Sequence, residues 1–311
     1  MKKILLTGAT LLVVAATSFA QYNEAFLNQA GLYNDGKVYQ TGQLHDAYIY
    51  QNGNGTSSSF NKSTLAQEGY DQFAESRQNG HGHEVNSFQR GDQINWAYFK
   101  QEKANSSAFS RQFGRSNYIS SSQISVDGTA AKAEFLQEGN RNRIFLDYQS
   151  DQIVGFDITN SFIRQRGNDN LARLTQIGDA NTGEIYQNNN WNEAIGEQYG
   201  SRNKLRIDQQ GSPTWFDRNY AYVRQEGDLN QTKTYQDGVR NTIRLVQAFG
   251  PNNYADINQY GSDHLVRGFD GINARQDGAN NRLESLQTGN GQTLYINQNG
   301  NSNLGFVRQS N

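Results

Sequence analysis

The chain has 311 residues, no cysteine, 28 basic against 30 acidic side chains, and a mean hydropathy of −0.85. Disulfide scaffolding is therefore excluded, a net charge of −2 offers no basic field for nucleic acid, and 37 Asn with 32 Gln leave too little apolar material for a conventional core. Such a composition suits a disordered or prion-like chain, but 17 Tyr and 16 Phe do not, so residue order has to decide.

At the start of the chain, Lys2 and Lys3, an apolar run from Ile4 to Ala16, and Ser18-Phe19-Ala20 predict a secretory signal over residues 1–20. The run is shorter than the roughly 20 residues a membrane anchor needs. No second run of this kind follows, so no transmembrane segment is expected in the mature chain, whose 26 basic and 30 acidic residues give a charge of −4.

Residues 21–311 are expected to form one repeat domain. The signature NxAxhxQxG, with h aliphatic, recurs from Asn23 to Gln309. Of the 23 intervals between its 24 glutamines, 15 are eleven residues long, and the slot six residues before each glutamine holds Asn in 15 cases. Small and larger residues alternate between Asn and Gln, as in Ala172 and Leu174 or Ala221 and Val223. This period of two predicts a strand, and the following xGxx predicts a tight turn.

Extra residues fall mostly in turn arcs, at Asn52 to Phe60, Gln210 to Arg218 and Ala248 to Asn252, and both prolines, Pro213 and Pro251, lie there. Near Tyr148 and Gln149 an added residue suggests a bulge. From Asp263 to Ala274 the spacing gives no register.

The predicted fold is all-β: a β-solenoid of stacked strand-turn-strand rungs built from 11-residue half-repeats. Two strands per rung give twelve rungs and an amyloid-like rod on the order of 55 Å long. In such a stack, inward Asn and Gln amides can bond the equivalent residue above and below. The residues expected to form these self-assembly ladders are Asn23, Gln29, Asn34, Gln40, Gln165, Asn170, Gln176, Asn181, Gln187, Asn192, Gln198, Asn203, Gln209, Asn230, Gln236, Asn241, Gln298, Asn303 and Gln309.

These residues resemble the curlin repeat, the roughly 22-residue unit of curli fibre subunits written SxxxxxQxGxxNxAxxxxxQ. The stretches from Gln165 to Ala172 and from Gln198 to Leu205 carry the likeness. The resemblance implies an extracellular functional amyloid of biofilm matrix that polymerises on a surface nucleator. It also implies a paralogous curli subunit or nucleator and an outer-membrane secretion channel as partners. The family's Ser slot is rarely Ser here, and the first repeat slot follows almost directly on the signal.

Enzymatic chemistry finds little support. The carboxylates form no acid–base pair, no GxSxG motif occurs, and acids such as Glu68, Glu102 and Asp277 sit beside repeat glutamines as turn-rim solubilisers. No cofactor is expected. His81-Gly-His83 has the look of a metal pair, yet His45, His83 and His264 all occupy the Asn slot, which favours ladder substitution. Residues just before the repeat Gln, including Tyr39, Tyr50, Arg77, Tyr186 and Tyr235, are expected to face outward, where they could serve adhesion. A fibre subunit is thus the leading reading, with a nucleator, a monomeric solenoid adhesin and, more remotely, a β-helical enzyme as alternatives. The repeat's extension to Gln309 leaves no room for a capping segment, so the chain is expected to assemble with itself head to tail, with the terminal rungs as growth faces.

Overall fold

The computed structural model describes residues 22–54, 60–125, 130–149, 158–211, 217–268 and 272–311. The expected signal, Pro213 and parts of three of the irregular segments lie outside them. Every regular element is a strand, and every pairing between strands is parallel. Successive strands alternate between two sheets. The first begins with Glu24–Leu32, Asp46–Asn54 and Gln72–His81; the second begins with Asn34–Gln43, Asn61–Tyr70 and Glu84–Gly91. Each sheet has twelve strand positions, because two positions in the first are split: Leu265–Arg267 with Ala274–Asp277, and Thr293–Tyr295 with Asn297–Asn299. This is the expected β-solenoid.

Alternation fixes what the interior contains. An unbroken strand turns four side chains inward: the Asn-slot residue, two mainly small or aliphatic residues, and, in all but the strand that holds Tyr148, the repeat Gln. In one strand these are Asn170, Ala172, Leu174 and Gln176, all buried. Only two apolar layers therefore run through the rod. Phe99 stands in register between Ser76 and Ser121, small neighbours that offset its volume. Phe135, by contrast, has Ser110 on one side and Ile163 on the other, and Ile163, Ile185 and Ile207 continue that layer on successive rungs. Thr232 and Thr234 occupy both layers of one strand and divide the apolar core into two clusters.

The arcs carry a constraint that the glycines only partly reveal. In the arc Gln176-Ile177-Gly178-Asp179-Ala180-Asn181, Gly178 has φ 105° and Ala180 has φ 54°. The position before the Asn slot is left-handed throughout most of the stack, even where it holds Leu229 or Trp191. An isolated residue of those types would disfavour this by about 1–2 kcal/mol. Here it turns the amide along the stack to meet the rung below, as when Arg202 N–H donates to Asp179 O at 2.9 Å and Leu229 N–H to Ser201 O at 2.9 Å.

Two irregularities differ from expectation or complete it. No added residue bulges at Tyr148: Tyr148 itself stands in register with Gln123 and Gln176, and Asn142 fills the slot six residues earlier. Gln149 thus lies outside the ladder position. Between Asp263 and Ala274 the extra residues interrupt a strand rather than a turn. Val266 pairs with Ile243 and Ala274 with Leu245, so one strand position is split between Arg267 and Ala274 and pairing resumes at the next inward residue. The interruption is tolerated because Ile296 on the next rung bridges it, donating its N–H to Arg267 O at 3.0 Å and accepting from Arg275 N–H at 3.2 Å.

A Cβ at Gly178 would meet Gly200 O at 2.3 Å, whereas one at Gly291 (φ 68°) would meet nothing within 4 Å. In chemical denaturation followed by circular dichroism, Gly178→Ala should therefore destabilise by roughly 3 kcal/mol, and Gly291→Ala by about 1 kcal/mol. Equal losses would remove stacking contact as the cause.

Candidate functional site: the amide ladders

In the second sheet twelve glutamines form one unbroken chain of side-chain hydrogen bonds: Gln40, Gln67, Gln89, Gln112, Gln137, Gln165, Gln187, Gln209, Gln236, Gln259, Gln287 and Gln309. The donor–acceptor distances are 2.8–3.1 Å. The first sheet has two segments, Gln29 to Gln123 and Gln176 to Gln298, separated by Tyr148. In all of these bonds Nε2 of the lower-numbered residue donates to Oε1 of the higher-numbered one, so the amide dipoles are aligned.

The second Nε2 hydrogen crosses the core. Gln187 donates to Leu171 O at 3.0 Å, Gln198 to Thr182 O at 3.1 Å and Gln209 to Glu193 O at 3.0 Å. Each amide therefore bonds along its own sheet and clamps the opposite one. Burial without partners would cost on the order of 2–7 kcal/mol per amide; here both N–H groups and the oxygen are engaged.

The asparagines act differently from the expected amide-to-amide ladder. Asn181 Oδ1 accepts the backbone N–H of Asn203 at 3.0 Å, while its Nδ2 donates to Gly200 O at 2.8 Å. Asn203 likewise accepts from Asn230 N–H at 2.9 Å, and its Nδ2 donates to Gly227 O at 2.8 Å. The same bracket joins Asn23 to His45 and Gly42, and Asn241 to His264 and Gly261. Asn34, Asn170, Asn192 and Asn303 also take part in side-chain amide bonds. The Asn slot thus chiefly splices each strand entry to the arc of the next rung.

His83 and His45 in this slot keep the acceptor half of the bracket and turn the other nitrogen to their own arc, whereas His264 has no partner on Nδ1 among the described residues. His83 Nδ1 accepts the N–H of Ser106 at 3.4 Å, and Nε2 faces Asn79 O at 3.3 Å. His45 does the same with Gln72 N–H and Thr41 O. The geometry requires the neutral Nε2–H tautomer and uses both His83 nitrogens internally, so the His81-Gly-His83 pattern does not present His83 as a metal ligand. Burial drives the His83 imidazole down to about 4 and lowers that of His45 too, against a raising contribution from the carbonyl each faces.

A further series lacked a signal strong enough to be found by spacing. Asn140, Asn168 and Asn190 lie in consecutive arcs, and each Oδ1 accepts a backbone N–H from the preceding rung, as in Asn140 N–H to Asn168 Oδ1 at 2.8 Å. Asp228 and Asn301 do so elsewhere. Tyr50, Arg77, Tyr186 and Tyr235 face outward between the inward positions, and Arg side chains lie over rings there, Arg206 above Tyr186 at 4.8 Å and Arg77 above Tyr50 at 5.4 Å.

The family model of the curlin associated repeat matches residues 178–211. Residues 178–211 carry the curlin repeat. The matched segment holds three repeat glutamines, Gln187, Gln198 and Gln209, with the slot asparagines Asn181, Asn192 and Asn203, and the glutamine ladder continues through the rungs on both sides of it. No curated protein matches the chain.

Two outcomes follow from the ladder geometry. Gln187→Leu leaves one Nε2 hydrogen of Gln165 and the Oε1 of Gln209 without their ladder partners and should cost on the order of 2–4 kcal/mol in urea denaturation; a change below about 0.5 kcal/mol would mean the ladder contributes nothing. For His83 the folded value lies below the unfolded one near 6.5, so its stabilising contribution is complete above pH 6.5. That contribution is lost as pH falls toward 4, by roughly 3 kcal/mol in total. Denaturation midpoints of His83→Asn should fall less across that window than those of the parent chain.

Proposed function

We infer that this chain is a secreted structural subunit of curli-like amyloid fibres in the extracellular matrix, where it supports adhesion. The observation that carries the reading is the one-way glutamine ladder. Its bonds are formed between rungs, and a rung of a second copy presents the same groups at the same spacing. Stacking the Gln298 and Gln309 amides of one copy beneath Gln29 and Gln40 of another would extend both ladders in their existing sense. Stacking like faces would set oxygen against oxygen or N–H against N–H. Head-to-tail growth is the orientation this polarity favours.

Curlin repeats form a structural, non-enzymatic family whose members are extracellular fibre subunits, which supports the same reading. Export would proceed with residues 1–20 as a cleaved leader and through an outer-membrane channel, and a paralogous subunit or nucleator would start growth. A monomeric adhesin is the competing function, since the outward Tyr and Arg rows would be available in either state.

Purified residues 21–311, freshly released from denaturant, should convert into fibres giving a meridional reflection near 4.7 Å, with growth seeded by preformed fibre ends. A chain that stays a monomeric solenoid at high concentration, with or without seeds, would overturn the fibre reading and leave the adhesin.

A further inference from the structure

The outer face of the first sheet carries a feature that the ladders do not need. Residues at the strand-entry position stand in register on successive rungs: Trp96, Tyr118, Arg143, Leu171 and Glu193. A row of this kind runs along the rod, one residue per rung. The first two join a continuous run of rings, with centroids 4.4 Å apart from Phe73 to Trp96, 6.4 Å from Trp96 to Tyr118, and 5.4 Å from Tyr118 to Phe145.

At the position before the Asn slot, Ser116 is small where the rungs on either side hold Ile94 and Arg141. A cleft of about 600 Å³ here is lined by Ile94, Trp96, Ser116, Tyr118, Arg143 and Phe145. Trp96 and Ile94 remain 43% and 42% exposed. A second cleft of about 270 Å³ shares Arg143 and continues along the rungs toward Arg218. The charges around it are matched, Arg141 with Asp169 at 2.6 Å and Arg218 with Glu193 at 3.1 Å. Arg143 has no ion pair among the described residues. The groove therefore combines an apolar, ring-lined half with a polar half and one uncompensated guanidinium at their junction.

We propose that this groove binds an acidic polysaccharide, laid along the rod with pyranose rings against Trp96 and Tyr118 and a uronate carboxylate on Arg143, while Phe145 lies under the Arg173 guanidinium at 5.7 Å. The size falls in the range of ligand sites, about 300–1,000 Å³. A guanidinium with both edges free suits a carboxylate. The rung rise of about 4.8 Å is comparable to the length of one extended pyranose unit, so successive sugars would meet successive rungs.

An acidic peptide fits less well. Extended peptides gain affinity by adding to an open sheet edge, and this groove lies over a sheet face whose backbone groups are already paired between rungs. The site is on the flank of the rod, so it is exposed in a monomer and in a head-to-tail stack, and the proposal does not depend on fibre formation.

The test is titration of the mature chain, residues 21–311, with tetragalacturonate, a neutral glucose tetramer and tetraglutamate, read by calorimetry and by Trp emission. Tetragalacturonate should bind and perturb Trp96, and Arg143→Gln should weaken it about tenfold while leaving the far-ultraviolet circular dichroism unchanged. Trp96→Ala should abolish both binding and the emission change. Equal affinity for the neutral tetramer or for tetraglutamate, unaltered binding by Arg143→Gln, or no binding of tetragalacturonate at all would each overturn the proposal.

Discussion

Everything else in this molecule depends on one contact: the side-chain amide of a glutamine bonded to the same amide one rung away. A single buried carboxamide would be a liability in the interior. Repeated at the rung spacing, with its second hydrogen clamped to the opposite sheet, it becomes the element that fixes register. A slip of one residue would carry every glutamine to the outer face, so the weakly apolar strands need no large core to find their pairing. The demand also travels outward: identical spacing requires parallel strands, parallel strands require an arc of fixed geometry, and the arc requires glycine where successive turns touch.

The substitutions that the ladders tolerate show which features matter. His83 replaces Asn because an imidazole in its Nε2–H form offers one acceptor and one donor in about the same places as a carboxamide. Thr232 enters the polar layer by lending its hydroxyl to Gln225 and Gln247. Tyr148 is a real interruption, since it fills the volume of a ladder position and divides the first-sheet chain of amides in two, whereas the second sheet runs through unbroken. The interior thus accepts changes that preserve hydrogen-bond positions or total volume, as the serines around Phe99 do for volume.

Interior and exterior are consequently free to serve different ends. Inward residues are constrained by stacking at every rung. Outward residues are constrained by little beyond β propensity, and a run of rings, an Arg–Tyr row or a shallow cleft can appear there without disturbing the ladders. A recognition site on the flank and an assembly function along the axis are physically independent in such a rod.

The repeat made much of this legible in the sequence. Eleven-residue spacing and period-two alternation determined the strands, the two-sheet rung and the identity of the inward glutamines, because a one-dimensional stack converts sequence period directly into spatial neighbours. What spacing could not determine were features set by the third dimension. Counting back from Gln149 concealed Tyr148 and Asn142, since only pairing with the rungs above and below shows which residue fills the ladder. Past Arg267 spacing gave no register because one strand position is split between two segments, and periodicity assumes a continuous strand. The asparagines were read as a second amide ladder, whereas the arc brings a backbone N–H and a glycine carbonyl nearer to each than another side chain. The groove beside Arg143 was invisible for the same reason: it joins residues about twenty-five positions apart, and only the stacking of rungs makes them adjacent.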